Sequence, residues 1–179
     1  MPKLSPGHKI DSFTVKDLHG TQATIPDTNR RFTHLQFRRF AGCPICNLHL
    51  RSVIQRKADI EQAGITEIIF FHSTAAALLP YESDLGLTVI PDAERKWYRA
   101  FGVEKSLSGL LNPQSIGAAL RGLTAKGALA SLNMSEDHTG LPADILLDGA
   151  GVVRAVKYGK AANDQWSVDE LLQLAGDPN

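Results

Sequence analysis

The two cysteines of this 179-residue chain lie in one tetrapeptide, Cys43-Pro44-Ile45-Cys46. An apolar, strand-like run over 33–40 precedes them, and a helical pattern begins near Asn47. This order predicts that Cys43 lies at a helix N-terminus, where unpaired backbone N–H groups and the helix dipole stabilise a thiolate. Cys46, one helical turn later, is then placed to trap a reaction product as a disulfide. The pair therefore predicts thiol redox chemistry.

The composition narrows the class of protein. The chain is 43% apolar, which suits one domain over residues 1–179 with its own core. Lys and Arg together number 19, as do Asp and Glu, so the charge favours neither a nucleic-acid nor a membrane partner. The N-terminus lacks the apolar core of a signal peptide, and no run approaches the roughly 18 apolar residues of a membrane span. We therefore expect a cytoplasmic protein whose cysteines form only transient disulfides.

The hydrophobic pattern predicts an α/β domain with a mixed central sheet. Two short strands at 12–17 and 22–25 form an N-terminal β-hairpin. Alternating strands and helices between 33 and 102 predict parallel strands with helices on both faces of the sheet. A second hairpin turns at Gly149-Ala150-Gly151 and adds antiparallel strands, and a capping box at 167–170 begins a last helix. The predicted strands after the first hairpin are 33–40, 65–71, 87–90, 143–148 and 152–158, and the predicted helices are 47–63, 75–84, 91–102 and 167–174.

Residues 105–140 depart from this alternation. They are rich in Gly, Ser, Ala and Leu and contain no strong strand pattern, which predicts a helical or loop insertion with one weak helix. The segment has more leucine than a free loop needs, and three roles are open for it. The first role is a cap over the active-site groove that binds an apolar substrate, and the second is a subunit contact in a homodimer. In the third, the segment is a satellite helix packed on its own small core.

The order of elements, with CxxC after the first long strand, resembles the thioredoxin fold. Three segments resemble more specifically the peroxiredoxin-like proteins related to the AhpC/TSA group. The segment from Phe37 to Cys46 is similar to the strand and CPxC motif of that group. The stretch from Phe71-His72-Ser73 to Val103 is similar to that group and contains its helix pattern D-x-x-R-x-x-Y-x-x-F-G. The last is Asp144-Ile145-Leu146-Leu147-Asp148 followed by Gly151-Val152-Val153, which resembles the final strand pair of the group.

The resemblance leaves open which sulfur attacks. In a thioredoxin-type interpretation Cys43 is the nucleophile and Cys46 resolves the mixed disulfide. Pro44 fits the first helical turn, because the N–H that it lacks would be unpaired there. Peroxiredoxins instead carry Thr-x-x-Cys, so in that alignment Cys43 replaces the threonine and peroxide oxidises Cys46 to a sulfenic acid. A thiol is a weak hydrogen-bond donor, and the missing threonine therefore predicts poorer peroxide activation.

Charged residues near the motif are candidates for supporting the thiols. The resemblance implies an arginine ahead of the late strand, but Gly140-Leu141 occupies that neighbourhood. Arg38 or Arg39 can supply the charge instead, and strand alternation lets only one of them face the thiols. His49 shares a helical face with Cys46, where an imidazolium would lower a thiol pKa; a solvated helix residue is the alternative.

Two residues near the late strand are further candidates. Pro142 stands where thioredoxin-like proteins have a cis-proline that faces the cysteines and offers backbone groups to a substrate. The alternative is an ordinary trans proline at the start of a strand. Asp144 is a candidate for the buried carboxylate that carries protons in thioredoxins, and the alternative is a strand residue that faces solvent.

These observations predict a thiol–disulfide or peroxide reductase that cycles Cys43 and Cys46 between dithiol and disulfide. Cys43, Cys46 and His49 would supply three zinc ligands, but no second CxxC or His-x-x-x-His supplies a fourth, so we expect no metal and no other cofactor. The resemblance implies an external thiol reductant of the thioredoxin or glutathione type, with a peroxide or disulfide as substrate. The alternative function is a non-catalytic thioredoxin-fold binding module whose CxxC acts as a redox-sensitive latch.

Overall fold

The computed structural model describes residues 3–82, 86–103 and 139–176. Within these residues the strands and helices follow the order that the hydrophobic pattern predicts. The strands are β1 Phe13–Lys16, β2 Gln22–Ile25, β3 Phe32–Phe37, β4 Ile65–Phe71, β5 Thr88–Pro91, β6 Ala143–Asp148 and β7 Val153–Tyr158. The helices are α1 Pro44–Gln55, α2 Lys57–Gln62, α3 Ala75–Glu82, α4 Lys96–Ala100 and α5 Val168–Gly176.

The central sheet has the mixed topology that the sequence predicts. Its strands lie in the order β5-β4-β3-β6-β7. The pairs β3–β4 and β4–β5 are parallel, whereas β6 is antiparallel to both β3 and β7. β1 and β2 form a separate antiparallel hairpin. The β-α-β order places the end of β3, and hence the CxxC motif, at the carboxyl edge of the parallel strands.

The two faces of the sheet bury different cores. On one face, Leu35 and Phe37 of β3 pack with Tyr98 and Phe101 near α4 and with the N-terminal hairpin. The opposite face is covered by α1, α3 and α5, and its apolar residues lie in two clusters. β3 is buried along its whole length, yet Thr33, His34 and Gln36 are polar. These side chains must therefore find partners inside the protein.

The region around the cysteines differs from the predicted boundaries. β3 ends at Phe37 rather than at residue 40, and the chain turns at 40–43, where the Cys43 N–H donates to the Phe40 carbonyl over 3.1 Å. Gly42 allows this turn with a φ of +72°. The helix begins at Pro44, three residues before the predicted start at Asn47, so both cysteines belong to its N-terminal turn.

Two other helices are shorter than predicted. The expected helix over 47–63 is divided at Arg56, where a φ of −106° ends α1 before α2 begins. The expected helix over 91–102 is reduced to α4, because Asp92 acts as a side-chain cap and accepts the N–H groups of Lys96 and Trp97 over 2.8 Å each.

Some expectations lie outside what the structure describes. The predicted insertion at 105–140 falls almost entirely outside the described residues, so its three proposed roles stay predictions, as does the single domain over 1–179. In the described part of the chain, no helix has the length and apolar character needed to cross a membrane.

Candidate active site

Cys43 and Cys46 lie at the N-terminus of α1. Cys43 immediately precedes the first helical residue, and Cys46 lies within the first turn. Cys43 is the N-cap residue, with φ −59° and ψ 116°, and Pro44 follows in the first helical turn as predicted. Both thiols are reduced and buried, with exposed fractions of 0% and 1%. A helix start of this kind orients backbone N–H groups toward the Cys43 sulfur.

The two thiols have opposite pKa shifts. Burial is the largest influence on Cys43 and by itself raises its pKa. A hydrogen bond from Cys46, the charge of Arg39 and the nearby backbone N–H groups of Cys46 and Ile45 outweigh burial and lower this pKa to about 6. Since no side-chain capping bond with normal geometry forms at Cys43, the backbone groups act through their dipoles. Burial, the hydrogen bond to Cys43 and its charge raise the pKa of Cys46 well above the ordinary value.

Arg39 is the arginine that faces the thiols. Its Nη1 lies 3.8 Å from Cys43 Sγ, and its side chain is 4% exposed. The backbone carbonyl of Arg39 accepts the N–H of His72 over 3.1 Å, which fixes the loop after β3 against the end of β4. Only one of the two neighbouring arginines therefore contacts a cysteine, in keeping with the alternation argument.

Arg38 points into a buried polar network on the α1 side of the sheet. Its Nη2 donates to Asp144 Oδ1 and to Gln36 Oε1, each over 2.6 Å. His34 joins the network through Nε2, 3.2 Å from Asp144 Oδ1, and through Nδ1, 2.9 Å from Glu67 Oε2. Asp144 is fully buried, which excludes a solvent-facing role for it.

The charges in this network stabilise one another. Burial raises the pKa of Asp144, but the charges of Arg38 and His34 and the hydrogen bonds from them outweigh it and hold that pKa well below its usual range. Burial lowers the pKa of His34, but Glu67 and Asp144 outweigh it and raise that pKa to about 9. Two cations therefore face two carboxylates inside the protein.

The structure corrects the expectation for His49. Its Nε2 lies 3.2 Å from Arg38 Nη2, within hydrogen-bonding distance of a permanent cation. Burial, followed by the charge of Arg38, lowers the pKa of His49 to about 3. The ring is therefore neutral at pH 7, and the imidazolium expected to lower a thiol pKa does not form. Within the described ranges, no three His, Cys, Asp or Glu side chains are grouped to hold a metal ion.

The expectation of a cis-proline at Pro142 is wrong. The cis peptide bond found among the described residues joins Ile25 and Pro26, so the bond before Pro142 is trans. The Pro142 carbonyl accepts the N–H of Gly159 over 2.9 Å. This contact extends the β6–β7 ladder by one position, and the proline backbone is therefore directed to β7 rather than to the sulfurs.

Sequence reasoning missed a second arginine near the site. The Arg95 Nη2 donates to the Thr139 carbonyl over 2.9 Å and lies 3.2 Å from His72 Nδ1. Its guanidinium also lies beside Gly140, in the neighbourhood where the resemblance had implied an arginine. The signal for Arg95 was its place in the D-x-x-R pattern, and His72 lies at the start of the same stretch that resembles the family.

Comparison with known protein families decides the class. The model of the AhpC/TSA family matches residues 6–156, which include the CxxC motif, Arg39, the D-x-x-R pattern and strands β1 to β6. The chain belongs to the AhpC/TSA family. This AhpC/TSA protein is accordingly a thiol-dependent oxidoreductase and not merely a binding module. Comparison with curated proteins gives no significant match.

Solved peroxiredoxin structures share the fold of this AhpC/TSA protein at low sequence identity. Peroxidoxin BcpB from Mycobacterium tuberculosis superposes with a TM-score of 0.69, 12% identity and 96% coverage of both chains. The reduced 2-Cys peroxiredoxin of Plasmodium vivax gives 0.66 and 12%, covering 96% of this chain and 80% of its own. A cysteine-to-serine mutant of peroxiredoxin 6 from Arenicola marina gives 0.67 and 14%, covering 96% and 72%. These similarities confirm the predicted thioredoxin-like fold.

Proposed function

We propose that this protein reduces small hydroperoxides, with Cys43 as the attacking thiolate and Cys46 as the resolving thiol. The observation that carries the proposal is the Arg39 guanidinium 3.8 Å from Cys43 Sγ at the N-cap of α1, where the pKa of Cys43 is lowered and that of Cys46 is raised. A thiolate is the reactive form of cysteine, and at neutral pH Cys43 supplies it. Cys46 keeps its proton until the second step.

The chemistry follows in two steps. The Cys43 thiolate attacks the terminal oxygen of the hydroperoxide, the O–O bond breaks, and Cys43 becomes a sulfenic acid while the alkoxide takes up a proton and leaves as an alcohol. Arg39 stabilises the thiolate and then the negative charge that moves to the leaving oxygen. The Cys46 sulfur attacks the sulfenic sulfur, the hydroxyl leaves with the Cys46 proton as water, and the disulfide forms. Pro44 supports both steps by starting α1 between the two cysteines.

Burial of the thiols favours a small oxidant. With exposed fractions of 0% and 1%, the sulfurs are more accessible to a hydroperoxide than to the disulfide of a folded protein. Cys43 also stands where the family has its threonine hydroxyl, and a thiol donates weakly to the peroxide. We therefore expect slower peroxide reduction than a Thr-x-x-Cys enzyme achieves, with Arg39 as the main activating group.

Thiol–disulfide exchange is the second candidate. A low-pKa cysteine at the N-cap, followed one turn later by a protonated cysteine, is also suited to attack on a disulfide and to resolution of the mixed disulfide. His49 contacts Arg38, and Pro142 pairs with the residue that follows β7. We expect both residues to hold neighbouring elements in place and to take no part in the chemistry. For either reaction we propose a cytoplasmic location and antioxidant activity, which the composition and the family favour.

The oxidised protein needs two electrons from an external thiol. A yeast mitochondrial 1-Cys peroxiredoxin, in which the thiol is resolved via the glutathione and thioredoxin systems, superposes on this chain with a TM-score of 0.66 and 11% identity. We propose a reductant of one of these two types for this chain.

Trapping of the sulfenic acid in two single variants tests the assignment of the sulfurs. Reduced Cys43→Ser and Cys46→Ser proteins are treated with an equimolar amount of hydrogen peroxide and a dimedone-type probe. We expect mass spectrometry to find the adduct on Cys43 in Cys46→Ser and no adduct in Cys43→Ser. An adduct on Cys46 alone would reverse the assignment. Circular dichroism shows whether both variants are folded.

Steady-state turnover tests the reaction class. With dithiothreitol as the electron source, the wild-type protein is expected to consume hydroperoxide, and the Cys43→Ser variant is not. Turnover of a disulfide such as insulin without peroxide turnover would establish the second candidate. If neither substrate turns over, both proposed reactions are excluded.

A further inference from the structure

The hydroxyl of Tyr98 binds the backbone just ahead of the CxxC motif. Tyr98 lies in α4, on the face of the sheet opposite to α1, and it is buried. Its hydroxyl donates to the Arg38 carbonyl and, over 2.8 Å, to the Phe70 carbonyl. A phenol carries one proton, so the two carbonyls share it. Tyr98 thus binds the backbone beyond the end of β3 and that of β4 at the same point.

The surrounding contacts fix the direction of this hydroxyl. The N–H of Tyr98 donates to Asp92 Oδ2 over 3.3 Å, and the N–H of Asp92 donates to the Phe71 carbonyl over 2.8 Å. The Tyr98 ring meets the rings of Phe37 and His72 edge to face, with centroids 5.1 and 5.6 Å apart. Backbone and ring are both held, so the hydroxyl is oriented toward its acceptors before any reaction begins.

The Arg38 carbonyl belongs to the same peptide unit as the N–H of Arg39, and this N–H hydrogen-bonds the Cys46 sulfur. Burial and then Cys43 raise the pKa of Cys46, whereas the charge of Arg39 and this backbone N–H lower it. The C=O and N–H of a trans peptide point in opposite directions, so Tyr98 and Cys46 lie on opposite sides of the unit. Hydrogen bonds therefore run from the phenol through one amide group to the second thiol of the motif.

Tyr98 keeps its proton at neutral pH. Burial, followed by the charges of Cys46 and Asp92, raises the pKa of Tyr98 well above its ordinary value, and the charges of Arg95 and Arg38 oppose this only in part. The hydroxyl is therefore a hydrogen-bond donor throughout the working pH range and does not exchange protons with the thiols. Its influence on Cys46 passes through the peptide unit alone.

We propose that Tyr98 is a positioning residue that acts on Cys46 through the peptide unit between Arg38 and Arg39 and sets the rate of disulfide closure. The inference rests on the proposed function, in which Cys46 resolves the sulfenic acid of Cys43. Hydrogen bonds in a chain polarise one another, so donation to the Arg38 carbonyl makes the Arg39 N–H a stronger donor to the Cys46 sulfur.

A stronger donor favours the second step of the reaction. Cys46 must lose its proton, its thiolate attacks the sulfenic sulfur of Cys43, and the S–O bond breaks with release of water. Because Cys46 is protonated at neutral pH, the small population of thiolate limits this step. A lower pKa makes each thiolate a weaker nucleophile, but that loss is smaller than the gain in thiolate population. The net effect of the Tyr98 hydroxyl is faster closure.

Titration of Cys46 in the absence of Cys43 tests the link directly. In Cys43→Ser, Cys46 is the only thiol, and its rate of alkylation by iodoacetamide is measured against pH. We expect addition of Tyr98→Phe to displace the profile to higher pH. Addition of Tyr158→Phe is the matched control and should leave the profile in place. It removes a hydroxyl that donates to the Phe101 carbonyl over 2.7 Å and accepts the Leu4 N–H over 2.8 Å.

The lifetime of the sulfenic acid tests the effect on closure. Proteins with both cysteines receive one equivalent of hydrogen peroxide, and samples are quenched over time in denaturant with a dimedone-type probe. We expect the adduct on Cys43 to persist about threefold longer in Tyr98→Phe than in the wild type or Tyr158→Phe. In Tyr98→Phe, closure should slow more than formation of the sulfenic acid.

A third substitution strengthens the donor instead of removing it. 3-Fluorotyrosine at position 98 keeps the ring and the hydroxyl but is a better hydrogen-bond donor, so it should move the Cys46 profile to lower pH. This measurement decides the question even if Tyr98→Phe is unfolded by circular dichroism.

The proposal is overturned by an unchanged Cys46 profile in Tyr98→Phe or with 3-fluorotyrosine, by equal displacement in Tyr158→Phe, or by an unchanged sulfenic acid lifetime. The alkylation profiles need no peroxide. An adduct on Cys46 instead of Cys43 would refute the proposed order of the two thiols, whereas the profiles would still decide whether Tyr98 acts on Cys46. The two failures are therefore distinguishable.

Discussion

Arg38 and Asp144 lie 106 positions apart in the sequence and form a 2.6 Å ion pair in which neither side chain is exposed to solvent. Arg38 follows β3 and leads to the CxxC motif, and Asp144 lies near the start of β6. The pair therefore links the strand that presents the cysteines to the strand behind the β7–α5 loop. A buried charge without its partner lowers the free energy of unfolding, so we expect the loss of either side chain of this pair to destabilise the fold.

Asp144→Asn should destabilise the protein strongly. The change leaves the Arg38 guanidinium buried without its carboxylate and weakens the contact of Asp144 with His34, and we expect the free energy of unfolding to fall by about 3–5 kcal/mol. Denaturant unfolding followed by circular dichroism measures the loss. Asp169→Asn is the control, because Asp169 is paired with Arg56 at the exposed surface and should contribute little. Equal losses in the two variants would contradict the prediction.

Arg39→Gln should raise the pKa of the Cys43 thiol. Removing a cation 3.8 Å from the sulfur is expected to raise this pKa from about 6 by about one unit or more. The rate of alkylation by iodoacetamide, measured against pH, reports the thiolate. In the wild-type protein it should rise through about pH 6 and then level off, and in Arg39→Gln the rise should move to higher pH. Arg99→Gln, which removes an exposed arginine, is the matched control and should leave the profile unchanged. An Arg39→Gln profile that coincides with the wild-type profile would contradict this assignment.

His34 should make the fold less stable at alkaline pH. Its pKa is about 9 in the folded protein and 6.5 ordinarily, so its stabilising contribution is complete below pH 6.5 and is lost as pH rises toward 9. The lowered pKa of Cys43 acts in the opposite direction over the same range, and the measurement therefore uses Cys43→Ser. We expect its free energy of unfolding to fall by up to about 3 kcal/mol across this range.

Two measurements check the His34 prediction. Urea unfolding of Cys43→Ser at several pH values gives the slope, and a flat profile would argue against it. NMR titration gives the protonation of the His34 ring directly, and its midpoint is expected near pH 9. A midpoint at the ordinary histidine value would show that Glu67 and Asp144 do not hold the proton.

Gly159→Ala should strain the start of the loop between β7 and α5. A Cβ at this position would lie 2.5 Å from the Asp164 carbonyl oxygen and 2.8 Å from Pro142 Cγ, and backbone groups cannot yield easily. We expect a loss of about 1–3 kcal/mol in the free energy of unfolding. Gly176→Ala is the matched control, because nothing lies within 4 Å of its Cβ position. Thermal unfolding of both variants makes the comparison, and similar melting temperatures would be contrary to expectation.

Local patterns were sufficient to predict most of the fold. β2, β4 and β6 have the predicted bounds, and Pro44 lies in the first helical turn after Cys43. These features depend on side-chain periodicity and on backbone hydrogen bonds between near neighbours. The failures at Pro142 and His49 have another origin. Burial in the folded protein and then the charge of Arg38 lower the pKa of His49, and the Pro142 carbonyl pairs with the N–H of Gly159. Local spacing reports neither burial nor such contacts.

The sequence by itself determined the chemistry and the elements that carry it: a dithiol in CxxC spacing at a strand-to-helix junction of an α/β fold. Only the tertiary structure decided which thiol ionises and which arginine faces it. The pKa of a buried thiol is set by the charges and dipoles within a few ångströms of it. The fold brings Arg39 to Cys43 and directs Arg38 to Asp144, although the two arginines are neighbours in the chain.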